Sequence, residues 1–155
     1  MFNSFMKLAI EEAKLAKSLG EVPIGAVILN KKNEILAKGH NLSRSLCDPT
    51  AHAEIMAIRE ACLKLKTDRL IGCSLYVTLE PCPMCASAIS VSRISNLYYG
   101  ASDPKSGGVE IGPQIFSHNQ SHFKPNIFQG FCEKEISYLM TDFFKEIRKA
   151  QKFSK

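Results

Sequence analysis

Apolar residues recur at helical spacing from the start of the chain. Met6, Ala9, Ile10, Ala13 and Ala16 share one face, Asn3 and Ser4 are capping candidates before them, and Gly20 supplies a stop. The next apolar stretches, 24–29 and 34–40, are short and flank a polar, turn-like 30–33, which predicts a two-stranded hairpin. A polar connection over 41–47 follows, and Asp48-Pro49 is expected to open a second helix reaching about Lys66, with proline in the favoured first turn. The alternating 74–79 reads as a strand, Pro83 as the start of a helix to about Val91, and 94–99 as another strand. Glycines and prolines make 101–120 mostly loop with one short helix. Ile127 and Phe128 suggest a last short strand, and Ile136, Leu139, Met140, Phe143 and Ile147 form the apolar stripe of a final helix.

Strands linked by helices in this order imply a layered α/β fold with parallel strand pairs. The 155 residues, 45% apolar and 23% charged, suit a single domain over 1–155. No stretch is long and apolar enough for a transmembrane span, and Lys7, Glu11, Glu12, Lys14 and Lys17 interrupt any N-terminal targeting segment, so no membrane association and a cytoplasmic address are expected.

Four of the six cysteines, Cys47, Cys62, Cys73 and Cys132, are scattered without a disulfide framework and read as buried or partly buried thiols. The net charge of +5 is concentrated at the C-terminus, where Lys145, Arg148, Lys149, Lys152 and Lys155 oppose Glu146 alone. Such a basic helix is either a footprint for a polyanion such as RNA or a solvated helix end whose cations suit the macrodipole.

Cys82 and Cys85 stand two residues apart in Pro81-Cys82-Pro83-Met84-Cys85, and His52-Ala53-Glu54 precedes them. Together these fit the zinc deaminase signature of His-x-Glu followed by Pro-Cys-x-x-Cys. Two thiolates and an imidazole suit one zinc ion per subunit, and three protein ligands leave the fourth tetrahedral position to water, as in catalytic rather than structural sites. Positions two apart on a helix point roughly 200° apart, so His52 and Glu54 cannot share a mid-helix face. The metal must therefore lie over helix N-termini, where a thiolate at Cys82 gains from the dipole. Glu54 is placed to take a proton from the activated water and deliver it to a ring nitrogen and a leaving amine.

Around this core, Glu21-Val-Pro-Ile-Gly-Ala-Val27, Asp48-Pro-Thr-Ala-His-Ala-Glu-Ile-Met56, Thr78-Leu-Glu-Pro-Cys-Pro-Met-Cys85, Tyr99-Gly-Ala-Ser-Asp-Pro-Lys-Ser-Gly107 and Asp142-Phe-Phe-Lys-Glu-Ile-Arg148 resemble bacterial tRNA-specific adenosine deaminases. The resemblance implies a three-layer α/β/α cytidine deaminase-like fold with a mixed five-stranded sheet. It also implies a homodimer that converts the wobble adenosine of a tRNA anticodon loop, typically in arginine tRNA, to inosine. Carried over by motif, Asn41 would hydrogen-bond the flipped nucleotide, Asp103 and Lys105 would contact the neighbouring loop, and Phe143, Phe144 and Arg148 would lie near RNA. Of the two phenylalanines, Phe143 lies on the apolar stripe and reads as core, which leaves Phe144 as the contact. The chain departs from the best-known members at Gly107-Gly108-Val109-Glu110-Ile111 and at His122-Phe123-Lys124, so RNA contacts by those loops are not carried over. Two other readings use the same motif: a guanine or free-nucleoside deaminase, and a non-catalytic zinc-stabilised binding module for which His40 or Cys47 would supply a fourth ligand.

Overall fold

A mixed five-stranded sheet runs through the computed structural model, which describes residues 1–154; Lys155 of the basic tail lies outside the described residues. Strands β1 (Gly25–Leu29), β2 (Ile35–His40), β3 (Ser74–Leu79), β4 (Asn96–Ala101) and β5 (Asn126–Gln129) stand in the order β2-β1-β3-β4-β5. β1 is antiparallel to both β2 and β3, whereas β3, β4 and β5 run parallel. The hairpin closes because Asn30 Oδ1 accepts the amides of Lys32 and Glu34 at 2.8 and 3.0 Å while Asn33 takes a φ of 60°. Parallel neighbours need crossovers. Helix α3 (Pro83–Val91) joins β3 to β4, and a long loop with one 3₁₀ turn at Ile115–Ser117 joins β4 to β5.

The pleat of β1 divides the core in two. Val27 and Leu29 pack with Met6, Ala9 and Ile10 of helix α1 (Phe2–Ser18) and Ile136 of helix α4 (Glu133–Phe153). Ala26 and Ile28 pack on the other side with Ala53, Ala57 and Ala61 of helix α2 (Ala53–Leu65) and with Ala86 and Ile89 of α3. The result is the expected three-layer α/β/α arrangement. Small residues set the spacing of the layers. A Cβ on Gly25 would lie 2.5 Å from Ala13 N, and one on Gly39 would lie 2.8 Å from Ala57 N, so α1 and α2 approach the sheet at backbone distance. No helix among the described residues is long and apolar enough to cross a membrane.

Four local expectations need correction. Helix α1 begins at Phe2, with Met1 at its N-cap and no side-chain cap from Asn3 or Ser4, because the Phe2 ring stacks on Tyr98 at 5.5 Å and meets Phe131 at 6.4 Å. Helix α2 opens at Ala53 rather than at Asp48-Pro49, since Asp48 Oδ1 accepts from the Thr50 amide at 2.8 Å and hydroxyl at 2.7 Å, making a turn instead of a cap. Strand β4 starts two residues late because Arg93, at φ 63°, turns the chain and Ile94 plugs the core below α3. Cys47 is exposed rather than a buried thiol.

Lys17 of α1 ties the two helices of one layer together, its Nζ 2.7 Å from Asp142 Oδ2 and 3.5 Å from Glu146 Oε1 on α4. The hydrogen bond from Lys17 holds the Asp142 carboxyl below the usual carboxylate range. A depressed carboxylate stabilises the fold above its unfolded pKa, and that contribution is lost as pH falls through the lower folded value. Asp142→Asn is therefore expected to lower Tm at pH 7, and the deficit to shrink once the pH drops below about 4. Thermal melts of both proteins across pH 3–7 check this; a deficit independent of pH would show that the charge plays no part.

Candidate metal centre

Two helix starts meet on one side of the sheet. His52 is the N-cap of α2, with φ −75° and ψ 157°, and Cys82 is the N-cap of α3, with φ −68° and ψ 168°. Pro83 then occupies the first turn of α3, where its missing N–H costs nothing, and Cys85 follows one turn inside. The ligand atoms of His52, Cys82 and Cys85 all lie within 4.8 Å of one another, the one such cluster among the described residues. His52 Nδ1 is 3.6 Å from Cys82 Sγ and 3.5 Å from Cys85 Sγ. Tetrahedral zinc, with Zn–S of about 2.3 Å and Zn–N of about 2.0 Å, spaces nitrogen and sulfur ligands about 3.5 Å apart, so the donors fit the ion.

Protonation within the cluster follows from its hydrogen bonds. The Cys85 thiol donates to Cys82, which with the His52 ring holds the Cys82 thiol down at about 4. The same hydrogen bond and burial push Cys85 up. Hydrogen bonding to Cys82 raises His52. Glu54, in the first turn of α2, is 3% exposed, and burial pushes its carboxyl up to about 7. Its Oε2 is buried without a hydrogen-bond partner. A carboxyl oxygen left without a partner beside three metal donors is open to accept a proton from a water at the site.

Neither residue considered as a fourth protein ligand supplies one. His40 Nδ1 is engaged 2.8 Å from Glu12 Oε2, and the exposed Cys47 points its thiol toward Arg44 O at 3.8 Å. The set of three therefore has the openness of a catalytic site rather than the closure of a structural one.

Residues 2–101 match the family described as the cytidine and deoxycytidylate deaminase zinc-binding region. The tRNA-specific adenosine deaminase of Agrobacterium fabrum is 50% identical over 144 residues, covering 93% of this chain and 94% of its own length. This chain belongs to the tRNA-specific adenosine deaminases. A solved structure from "Biochemical and Structural Studies of A-to-I Editing by tRNA:A34 Deaminases at the Wobble Position of Transfer RNA" superposes with a TM-score of 0.86 at 50% identity, covering 88% of this chain and 98% of that one. Guanine deaminase from Bacillus subtilis is more distant in shape, with a TM-score of 0.62 at 42% identity over 64% of this chain and 63% of its own. The adenosine deaminase family carries the cytidine deaminase-like α/β fold and a zinc-binding region, and the cluster at His52, Cys82 and Cys85 is where this member would hold the ion.

The remaining candidates are not part of the three-donor set. Asn41 follows the end of β2 and is buried, its amide donating to Ile24 O at 3.2 Å while its side-chain Oδ1 has no partner. Asp103 Oδ1 accepts the amides of Lys105 and Ser106 at 3.1 and 3.2 Å, leaving the Lys105 side chain exposed. Phe143 is buried under α4, whereas Phe144 is exposed and meets it edge-on at 5.4 Å. Phe144 and Arg148 ride on α4, in the layer across the sheet from α2 and α3.

Two buried carboxylates escaped the sequence reading. Glu21 accepts both the amide and the hydroxyl of Ser45, at 2.7 and 2.9 Å, and so pins the loop leading from Asn41 to His52. Glu80, one residue past β3, accepts three amides of the loop that carries Asp103 and Lys105. Glu80 stands next to the Pro-Cys motif at the end of a buried strand, and that position is the signal that could have exposed it.

Replacing Cys85 by alanine removes one of three donors. The purified variant is expected to carry well under one zinc per chain where the unaltered protein carries one, measured by elemental analysis. Equal zinc in the two preparations would take Cys85 out of the ligand set.

Proposed function

We propose that this protein, acting as one domain over residues 1–155, hydrolytically deaminates the wobble adenosine of a tRNA anticodon loop, typically in arginine tRNA, to inosine. The observation that carries the chemistry is the unpartnered Oε2 of buried Glu54 beside the three-donor cluster. The likeness to tRNA-specific adenosine deaminases over 93% of the chain supports the substrate.

A zinc ion held by His52, Cys82 and Cys85 supplies, when bound, a Lewis acid that makes water acidic enough to attack near neutral pH. Glu54 takes the proton of the attacking water and hands it to ring nitrogen N1 as the new C6–O bond forms. The second water proton goes by the same carboxyl to the exocyclic amine, the C6–N bond breaks, ammonia leaves and the C6 carbonyl of inosine remains. Burial favours this cycle because it keeps the neutral and charged forms of Glu54 close in energy. Asn41 holds the flipped nucleotide through its side-chain Oδ1, an acceptor that has no internal donor, and Asp103, Lys105, Phe144 and Arg148 hold the flanking RNA, as single-stranded loops splayed over aromatic and basic side chains require. A tRNA substrate is in keeping with a cytoplasmic address.

Inosine sequencing of total tRNA after incubation with pure protein tests the substrate; turnover of free guanine with inert tRNA would transfer the reading to a guanine deaminase. Glu54→Gln is expected to lower the deamination rate by about 10²–10⁴-fold with zinc content unchanged, because the proton path and not the metal is removed. Activity near the unaltered level would mean that another group moves the protons.

The protein acts as a homodimer in this reading, and α2 and α3 supply the contact. Helix α3 has no charged residue on any face, and a helix of that kind seeks cover all round. Between it and α2 lies a groove of about 670 Å³ in which Ile58, Leu63 and Val91 adjoin Arg59, Lys66 and Asp68, with Leu63 79% and Val91 56% exposed. Leu63→Asp together with Val91→Asp should shift the protein from dimer to monomer in light scattering; a dimer that survives both would move the contact elsewhere.

A further inference from the structure

Glu80 is 2% exposed, and no cation pairs with it among the described residues. Its charge is met by backbone alone: Oε1 accepts the Asp103 amide, and Oε2 accepts the Val109 and Glu110 amides, all at 3.1 Å. The contact is built to be close. A Cβ on Gly107 would strike the Glu80 carboxyl, and one on Gly108 would come within 2.6 Å of Pro83 N. Gly108 N also donates to Pro81 O at 2.8 Å, and Glu80 N donates to Ala101 O at 2.8 Å. Segments 80–83 and 101–110 are therefore stitched together, with the carboxylate at the centre of the seam. One segment holds the metal donor Cys82. The other holds Asp103, whose own carboxyl orders the Lys105 amide.

We infer that Glu80 is a positioning residue for RNA engagement: its carboxylate fixes the Asp103–Lys105 loop at a set distance from the metal ligands, so that flanking nucleotides and reacting base are held in one frame. This rests on the RNA reading above. A carboxylate that accepts three amides leaves all three unsatisfied when it is removed, and the loop then has no low-energy reason to keep its place. Gln keeps the shape and one acceptor oxygen but turns a donor toward at least one of the three amides. Its effect is therefore intermediate.

Glu80→Ala and Glu80→Gln, each placed in the Glu54→Gln protein so that RNA is not consumed, separate this role from a merely structural one. Zinc per chain, amide hydrogen exchange, and equilibrium binding of a fluorescent arginine anticodon stem-loop are the readouts. Zinc is expected to stay at the parental level, and the amides of 103, 109 and 110 to lose protection while those of α3 keep it. The hairpin Kd is expected to rise roughly tenfold for Ala and less for Gln. With Glu54 restored, KM should rise more than kcat falls. Unchanged exchange and Kd in the Ala variant would overturn the inference, as would loss of zinc in step with loss of binding, which would make Glu80 a support of the metal segment. A Glu54→Gln parent that ignores the hairpin would fail the RNA reading itself, and the exchange measurement, which needs no RNA, distinguishes the two failures.

Discussion

The close approach of α2 to one face of the sheet is the constraint on which the rest depends. His52, Cys82 and Cys85 come from segments thirty residues apart, and they meet because α2 lies against β1 and β2 with little between them but alanine and α3 packs beside it. Ala53, Ala57 and Ala61 are fully buried, and Gly39 has no room for a Cβ beneath α2. A larger residue at any of these places would lift the helix, and with it the imidazole, by more than a coordination bond tolerates. Sheet packing thus sets the metal geometry through backbone positions rather than through flexible side chains. The same placement turns both helix N-termini toward the donors, so the dipoles favour thiolates where the ion needs them.

The second layer of α1 and α4 serves the opposite face without touching the donors. Its rings run across the sheet as a stack, Tyr76 on Tyr98 at 4.3 Å and Tyr98 on Phe128 at 4.8 Å, with Phe2 and Phe131 closing over Tyr98. Burial raises the Tyr76 hydroxyl well above its ordinary pKa, so this face behaves as apolar core despite its tyrosines. It holds the parallel strands β3 to β5 in register, and the loops that leave their carboxyl ends inherit that order.

Periodicity and spacing were enough for every element and for the metal triad, because both are local patterns: a stripe at 3.6 residues, an alternation at 2, a Cys-x-x-Cys at a helix start. What could not be read locally was set by contacts across the fold. Phe2 enters a helix because Tyr98, ninety-six positions away, receives its ring. Asp48 spends its carboxyl on Thr50, leaving His52 to cap α2, and nothing in Asp-Pro distinguishes that outcome from a cap. The choice of His52 Nδ1 as the atom facing the sulfurs, and the amides that seek out Glu80 from 23 to 30 residues downstream, likewise exist only once the sheet has formed.

Three buried glutamates show how this fold divides stability from chemistry. Each would be costly in isolation, since a carboxylate away from water needs partners. Glu21 finds Ser45 twice and Glu80 finds three amides, so in both the negative charge is matched by donors fixed in the backbone or close to it. Both hold loops beside the cluster, Glu21 the one leading to His52 and Glu80 the one carrying Asp103. Glu54 lies as deep but keeps one oxygen unmatched, and burial moves its carboxyl up toward neutrality. An unmade hydrogen bond of this kind costs about 1–3 kcal/mol, which persists only where surrounding contacts over-determine the site. Here those contacts are the alanines that seat α2 on the sheet, which leave Glu54 no other place to turn. Glu21 and Glu80 spend their oxygens on holding loops, and Glu54 keeps one for the proton it must move.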